Sequence, residues 1–574
     1  MKYSKWEITG YDRKEAAKWF RGGTSPLSAL FLVSRGIKDS EELESLIDNS
    51  VSSLEDPFLL NGMSAAVDRI SAAIEKGEKI GVFGDYDVDG ITATCLLTRY
   101  FRSKGAPCIN YIPERIEDGY GLQKKGIEAL RCDGAELIVS VDCGITAHEA
   151  ANYARDSGLD LIITDHHVVG DRLPPAVAVV NPKRTDQTYP NRYLSGVGVA
   201  FKLACALEGA DRTEEMLETY GDFVAAGTIS DVMPLIGENR ILVRHGLEML
   251  RRGGHVGFEK LGQRAGVDMR TLGTYGMSFG LAPRINAAGR LGKTALAKDL
   301  LMTDDAQEAN WLASQLCELN YERQRVEGEM MAQAEDMMKS YPDNAPIVLA
   351  GEKWHQGVAG VVASRIMERY SRPTVIITIQ DGIAHGSCRS SGSFSIYDAL
   401  KACEDTMISF GGHKFAAGIV LKEEDVPRLR SALTEYYRTV YSGDEEEQTV
   451  LSIDFEVVKP EIITLENIDA LKEFEPFGNG NPAPRMCITG AGVDMITAMG
   501  HGKHTKLWAV KNGCVFECLM FNSVPEQLGV KAGDVVDLAF EPKISEFRGR
   551  RSIQLQLADI CLHGEGVIEQ RRTE

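Results

Sequence analysis

Residues 80–90 read Ile80-Gly81-Val82-Phe83-Gly84-Asp85-Tyr86-Asp87-Val88-Asp89-Gly90: a short apolar run, a glycine, then alternate aspartates. Two later segments repeat the pattern. Leu137-Ile138-Val139-Ser140-Val141 is followed by Asp142-Cys143-Gly144, and Leu161-Ile162-Ile163-Thr164 by Asp165-His166-His167. Short β-branched runs of this kind read as buried central strands of a parallel sheet. Helix-compatible stretches separate them, so the connections are βαβ. Ligands of an open α/β sheet bind beyond the carboxyl ends of its strands, which is where all three acidic turns fall. One aspartate after a strand is an ordinary turn or helix cap. Three such turns in register, one rich in carboxylates and one with paired imidazoles, describe a cluster of metal ligands. Asp231, in Ala225-Ala226-Gly227-Thr228-Ile229-Ser230-Asp231-Val232, is a fourth candidate.

Carboxylates with one or two imidazoles and no thiolate suit Mn²⁺ or Mg²⁺ better than zinc. The candidates exceed what one ion needs, so a two-metal site with a bridging carboxylate is expected, and with it phosphoryl transfer to water. Asp142, alone on the middle turn, is the expected bridge.

These residues resemble the DHH phosphoesterase superfamily, named for the triplet that stands here as Asp165-His166-His167. The resemblance covers nearly the whole chain through GDYDVDG at 84–90, SVDCGI at 140–145, SDVMPL at 230–235, PRINAAGRLG at 283–292, WHQGVAGVVASR at 354–365, GGHKFAAG at 411–418 and FEPFGNGNPAP at 474–484. Within the superfamily the chain is similar to the bacterial single-strand-specific 5′ exonucleases. That resemblance implies that Asp87, Asp89, Asp142, His166 and Asp231 are metal ligands, with Asp85 and His167 binding the ions or holding the residues that do. Asp87, Asp89, Asp142, His166, His167, Asp231 and His413 are then the expected catalytic residues. The implied activity is Mn²⁺- or Mg²⁺-dependent release of mononucleotides from the free 5′ end of single-stranded DNA, in repair and recombination. The implied partners are that strand, a helicase and a single-strand-binding protein. Two rivals remain: a small-substrate enzyme acting on short oligonucleotides or cyclic dinucleotides, and an inactive nucleic-acid clamp. The first leaves residues 450–560 without a role, and the second would carry degenerate ligands where every acidic motif here is complete.

A chain of 574 residues is too long for one core, and its 44% hydrophobic and 25% charged content is that of a globular protein. The expected fold class is α/β. An N-terminal helical segment (1–62), including Ser40 to Ile47, precedes a DHH parallel-sheet domain (63–302). A long connecting helix (303–342) leads to a DHHA1 α/β domain (343–444), and an OB-like β-barrel (445–574) follows. The helix expectation rests on Thr303-Asp304-Asp305 as its cap and on the absence of proline before Pro342. At 1.5 Å per residue it reaches about 50 Å; two shorter helices broken near Gly328 are the alternative. In the second α/β domain, Ile347-Val348-Leu349 and Val375-Ile376-Ile377 read as strands and Val358 to Arg369 as a helix. Ser442-Gly443-Asp444-Glu445-Glu446-Glu447 reads as an acidic linker. The barrel expectation rests on alternating runs at Leu451–Phe455, Lys506–Val510, Val515–Leu519, Val535–Phe540 and Ile553–Leu557.

Arginine is the natural bidentate phosphate receptor. Arg115, Arg284, Arg290, Ser387 and Arg389 lie in glycine- or serine-rich contexts, and the resemblance implies a 5′-phosphate pocket built from Arg115, Arg290, Ser387 and Arg389. Gly411-Gly412-His413-Lys414 offers closely approachable backbone N–H groups and an imidazole, a nest for a phosphate or scissile-group contact, and the resemblance sets His413 across the substrate from the metals. Lys543, Phe547, Arg548, Arg550 and Arg551 mix charge and an aromatic on one barrel hairpin, as single-strand binding by stacking requires. The net charge of −20 argues against a surface covered with phosphate-binding groups, so these cations act locally.

No run approaches a membrane span, and the first residues lack a signal-peptide core. The twelve cysteines are scattered without a framework. Cys514 and Cys518 read as strand residues rather than a zinc pair, which places the chain in a reducing cytoplasm. A monomer is expected.

Overall fold

The computed structural model describes residues 3–571 apart from 11, 116–117, 120, 344, 441–448, 501 and 548. The chain divides into two compact units, one of Leu54–Pro234 with Glu238–Asp444, the other of Met1–Ser53, Leu235–Gly237 and Glu445–Glu574.

The larger unit is built first around a five-stranded parallel sheet. Its strands are β1 (Ile80–Phe83), β2 (Cys108–Tyr111), β3 (Leu137–Val141), β4 (Asp160–Thr164) and β5 (Ala178–Val180), in spatial order β2-β1-β3-β4-β5. Strands β1 and β3 are buried along their whole length, as central strands covered on both faces must be. All three acidic motifs leave the carboxyl ends of adjacent strands β1, β3 and β4. Helix α1 (Val88–Ser103) begins inside the first motif, with Asp87 as its N-cap accepting from Gly90 N at 3.1 Å. Two further helices, α2 (Gly196–Glu208) and α3 (Thr213–Ser230), pack on α1 and bring the rest of the site. Asp231 thus ends a helix rather than a strand.

Helix α4 (Ala282–Arg290) precedes the connecting helix α5 (Ala306–Met338), which is unbroken over 33 residues. Asp305 caps α5 by accepting from Gln307 N and Glu308 N, both at 2.8 Å. Its buried stripe recurs every three or four residues through Ala309, Leu312, Leu316, Met330 and Ala334. Polar Asn320, Arg323 and Glu327 continue the stripe, with Arg323 donating to both of the others. Exposed Gly328 does not interrupt it.

The far half of α5 packs on helix α6 (Gln356–Tyr370) of the second α/β layer. Trp354 Nε1 donates to Gln333 at 2.8 Å, and Arg365 pairs with Glu327 at 2.6 Å. That layer's sheet joins β6 (Ile347–Glu352), β7 (Thr374–Gln380), β8 (Ile383–Arg389), β9 (Ser409–His413) and β10 (Ala416–Lys422) in the order β9-β10-β8-β7-β6, with only β6–β7 parallel. Gly411 and Gly412 therefore lie in an edge strand. Backbone pairing with β10 holds them extended, and the outer side of β9 has no partner strand among the described residues.

In the smaller unit, β11 (Phe455–Glu456), β12 (Met486–Met499), β13 (His504–Lys511), β14 (Cys514–Met520), β15 (Val535–Phe547) and β16 (Arg550–Leu562) form one sheet that closes through β12–β15 pairing into an OB-like barrel. Strand β12, absent from the sequence expectation, carries Gly490 and Gly492 and bends at two bulges. Two expectations fail here. Leu451 to Ile453 belong to a separate parallel sheet, Val450–Ile453 on one side of Lys5–Thr9 and Ile568–Arg571 on the other. The N-terminal segment is consequently not all helical; Trp6 and Ile8 alternate inward from that central strand, and Trp6 Nε1 donates to Asp559 at 2.9 Å. All twelve cysteines are free thiols, with Cys514 partly and Cys518 fully buried on β14. Among the described residues no helix is long and apolar enough to cross a membrane.

The close contact between α4 and α6 is the joint of the larger unit. A Cβ at Gly357 would stand 2.0 Å from the Arg290 carbonyl oxygen, so the two helices meet only because residue 357 has none. Gly357→Ala is expected to lower the unfolding midpoint in scanning calorimetry by the equivalent of about 1–3 kcal/mol of overpacking. Gly328→Ala, in open space on α5, should instead stabilise by about 0.5–1 kcal/mol. Equal shifts in both variants would contradict the tight joint.

Candidate metal centre

Glycines make the room in which the acidic loops converge. A Cβ at Gly196 would stand 2.4 Å from the Asp142 Cβ, and one at Gly227 would stand 2.6 Å from Asp89 Oδ1. The bare starts of α2 and the bare face of α3 thus let carboxylates from β1 and β3 meet beneath them. Asp89 accepts from the N–H groups of Gly196 and Val197 at 2.6 and 2.8 Å, the unsatisfied donors of a helix N-terminus. Asp142 takes a left-handed backbone, φ 59°, which aspartate tolerates better than most residues.

His166 stands at the centre. Its Nε2 lies 3.1 Å from Asp142 Oδ1, 3.6 Å from Asp231 Oδ2 and 3.8 Å from Asp89 Oδ2. Three sets of donor atoms each fall within 4.8 Å: Asp85, Asp87 and Asp142; Asp89, His166 and Asp231; and Asp142, His166 and His167. Asp142 and His166 each belong to two sets, so the geometry is three ion-sized sets in a row, the outer two joined through the Asp142–His166 pair. Sequence reasoning had placed every one of these residues in the site, and the fold brings all seven together. His166 and His167 lie side by side, ring centroids 4.5 Å apart, rather than on opposite faces.

The electrostatics are those of a site missing positive charge. Burial, then Asp87, pushes the Asp85 carboxyl up to about 8. Burial, then Asp231 and Asp87, drives Asp89 well above the carboxylate range, and burial, then Asp89, does the same for Asp142. Asp231 is pushed up to about 7 by burial and by Asp87. Burial, followed by the charge of His167, takes the His166 imidazole down to about 3. Asp142 Oδ1 and His166 Nε2 are both buried without a hydrogen-bond partner. Such atoms are rarely left unmet in a folded protein, and hard oxygen donors with a neutral imidazole fit a divalent ion of the Mn²⁺ or Mg²⁺ kind.

Three residues with roles here were missed. Asp165 is not at an ion-sized cluster; it accepts from the N–H groups of His166 and His167 and Ile145, and from His167 Nδ1 at 2.8 Å. Burial opposes its ionisation, but the hydrogen bond and charge of His167 hold Asp165 below the usual range. The same pair overcomes burial at His167 and raises it to about 9. Asp165 orients the paired imidazoles, as carboxylates behind metal-bound histidines do. Lys183, lowered by burial, sits within reach of Asp231 and Asp165. Asn286 accepts from Val88 N at 3.2 Å and pins α4 to the first acidic loop. The signal for Asp165 was present in the triplet itself; Lys183 and Asn286 depend on tertiary approach alone.

An arginine pocket adjoins the centre. Arg115 lies over the Tyr86 ring at 5.0 Å, Arg290 donates to Gly357 O at 3.2 Å and Arg389 to Cys388 O at 2.8 Å. Burial first, then the charges of Arg115, Arg323 and Arg389, lower Arg290 to about 10. Among the described residues none of the three has a carboxylate partner. Ser387 and Arg389 lie over Gly360 of α6, where a Cβ would stand 3.7 and 3.0 Å from them. Guanidiniums gathered in this way have the chemistry to receive a multiply charged anion. Arg284 is turned back onto its own helix, donating to Gly280 O. His413, on the exposed end of β9, is held below its ordinary pKa by burial and then by the charges of His167 and Lys183.

On the barrel, Lys543 and Arg550 are exposed on the β15–β16 hairpin, Lys543 within 3.4 Å of Glu541. Arg551 pairs with Asp469 and lines a groove with Trp508, Val515 and Phe516, while Lys506 stands 4.7 Å over the Trp508 ring. Arg548 and the Phe547 side chain lie outside the described residues, as does the acidic linker.

Family models match along the chain in the order the fold displays: the DHH family, N-terminal domain at residues 79–228, the DHHA1 domain at 343–439 and the RecJ OB domain at 453–559. The single-stranded-DNA-specific exonuclease RecJ of Bacillus subtilis is 38% identical over 542 residues, covering 94% of this chain and 68% of that protein. Crystal structures of Thermus thermophilus RecJ in complex with Mn²⁺ and with Mg²⁺ superpose with TM-scores of 0.83 and 0.78 at 29% and 28% identity. Each covers 98% of this chain, which in turn spans 80% and 79% of the Thermus chains.

Two substitutions separate binding from orienting. Asp142→Ala is expected to abolish Mn²⁺ binding in calorimetric titration, because Asp142 belongs to two of the three donor sets and stands 3.1 Å from His166 of the third. Asp165→Asn should weaken it about 10- to 100-fold while leaving the fold intact. Wild-type affinity in either variant would remove that residue from the centre.

Proposed function

Because this chain belongs to the RecJ family of single-stranded-DNA-specific exonucleases, we propose that it hydrolyses single-stranded DNA from a free 5′ end, releasing mononucleotides with two Mn²⁺ or Mg²⁺ ions. The observation that carries this reading is the shared pair Asp142 and His166 at the junction of three ion-sized donor sets, beside three arginines without acidic partners among the described residues. Asp85, Asp87, Asp89, Asp142, His166, His167 and Asp231 hold the ions. When bound, the ions supply positive charge against phosphate oxygens and acidify water. Asp165 keeps His167 turned toward Asp142, whose Oδ1 lies 4.0 Å from His167 Nδ1.

Arg115, Arg290, Ser387 and Arg389 receive the terminal phosphate, and their fixed position relative to the acidic loops decides which phosphodiester reaches the metals. Two links set that position: Asn286 joins α4 to the first acidic loop, and Arg290 to Gly357 joins α4 to α6. The open edge of β9 offers the alternate backbone N–H groups that β10 leaves free along this stretch to the strand, and His413 stands opposite the cluster. On the barrel, Lys543, Arg550 and Phe547 with Arg548 contribute sequence-tolerant contacts. The protein acts as a monomer in the cytoplasm, in repair and recombination, on strands opened by a helicase and covered by a single-strand-binding protein.

Digestion of single strands labelled at either end, with Mn²⁺ or Mg²⁺ and with duplex as control, tests the reading. Labelled mononucleotide should appear at once from the 5′ label and last from the 3′ label, with duplex resistant. Cleavage of dinucleotides with long strands left intact would overturn it. Arg389→Ala should reduce the preference for a 5′-phosphate over a 5′-hydroxyl about 10- to 100-fold, the worth of a charge-assisted hydrogen bond. An equal loss on both ends would deny Arg389 that contact.

A further inference from the structure

Charge is ordered along the rim of the parallel sheet. In the spatial order β2-β1-β3-β4-β5, the segment after β2 carries Arg115, those after β1, β3 and β4 carry the acidic motifs, and the turn after β5 reads Asn181-Pro182-Lys183. The donor sets are thus flanked by a cation at either edge. Arg115 belongs to the arginine pocket; Lys183 lies outside it.

The turn that carries Lys183 is built onto the site. Asn181 is buried, and its side chain is engaged at both atoms: Nδ2 donates to His167 O at 3.0 Å, and Oδ1 accepts from Lys183 N at 2.7 Å. The second bond closes a turn of the kind asparagine favours. One residue earlier, Asp165 N donates to Val180 O at 3.0 Å. Neighbouring strands run about 4.8 Å apart, so this turn stands one strand away from the imidazole pair. Its two cations differ. Arg184 donates to Val179 O at 2.6 Å and to both carboxylate oxygens of Asp186, at 2.9 and 2.6 Å, which commits it to the turn itself. Lys183 is partly buried, and its ammonium has neither hydrogen bond nor ion pair among the described residues. Its charge nevertheless bears on Asp231, Asp165, His166 and His413. An ammonium whose backbone is fixed at the edge of an acidic cluster, and which closes on none of the carboxylates, is left for an anion that the site brings in.

We propose that Lys183 is a catalytic residue of the nuclease reaction, donating from its ammonium to a non-bridging oxygen of the scissile phosphate on the side away from the arginine pocket. The proposal rests on the nuclease reading above and adds to it a protein cation at the reacting phosphorus. In that reaction the oxygen of water joins phosphorus, the P–O3′ bond breaks and a proton of that water ends on the departing O3′. Lys183 keeps its own proton and meets the charge spread over the equatorial oxygens. The terminal phosphate lies with Arg115 at the opposite edge of the rim, so the two phosphates of the first nucleotide have separate receptors. A lysine that only offset the carboxylates would leave the rate of the chemical step alone and, once removed, let cations bind more tightly.

The test is single-turnover digestion, with Mn²⁺, of a 5′-phosphorylated single strand whose first linkage is all-oxygen or a stereodefined phosphorothioate, Rp or Sp. On the all-oxygen strand the rate of Lys183→Met at saturating protein should fall about 100-fold, with the half-saturating concentration little changed, and Lys183→Arg should recover part of the loss. Sulfur should slow wild type more in one diastereomer than in the other, and Lys183→Met should narrow that difference, because sulfur spoils only a contact that exists. Mn²⁺ affinity in calorimetric titration should not fall. An undiminished rate in Lys183→Met, identical phosphorothioate penalties in both proteins, or a slower rate matched by lost Mn²⁺ affinity would overturn the contact. If wild type leaves such strands uncut, the nuclease reading falls and this role with it; if wild type cuts them and Lys183→Met cuts them equally fast, only the role of Lys183 falls.

Discussion

Mutual repulsion among buried carboxylates is the constraint on which the rest of this structure depends. Asp85, Asp89, Asp142 and Asp165 are each at most 2% exposed, and Asp231 joins them from the end of α3. Only Asp165 has a cationic partner that settles its charge, His167. Charges removed from water without compensation are strongly unfavourable, so the fold holds the others either protonated or waiting for cations. Every local device at the site serves that confinement. Helix N-terminal N–H groups meet Asp89, glycines clear the space for Asp89 and Asp142, and fully buried strands give the loops no freedom to splay.

The second constraint is distance between two kinds of charge. Acidic loops that hold cations and arginines that hold an anion neutralise each other when they touch, and here they do not. The arginines come from the β2–α segment, from α4 and from β8, and α4 is the element that fixes their separation from the carboxylates. It is tied to the first acidic loop through Asn286 and Gly289, and to the second α/β layer through Gly357. Helix α5 then carries both layers on one rigid rod.

Much of this was legible in the chain. The acidic motifs are local runs at strand ends, so period and turn chemistry located them and parallel-sheet topology put them on one rim. The unbroken α5 was legible because its cap and its lack of proline are local too. The barrel strands after Lys506 alternate cleanly. What escaped depends on long-range pairing or on irregularity. Lys5–Thr9 is a strand only because two distant segments flank it, and β12 hides behind glycines and two bulges. Gly411 and Gly412 are strand residues only because β10 pairs with them. Lys183 and Asn286 carry no motif; their roles exist only where tertiary structure brings them to the acidic loops.

The central claim is that two divalent cations, sharing Asp142, complete a site that the protein alone leaves short of positive charge. Anomalous diffraction at the manganese edge from Mn²⁺-loaded crystals tests it most directly. The account predicts two peaks about 3.5–4 Å apart, one among Asp85 and Asp87, the other among Asp89, His166 and Asp231, with Asp142 touching both. A single peak, or side chains turned away from an empty centre, would contradict it.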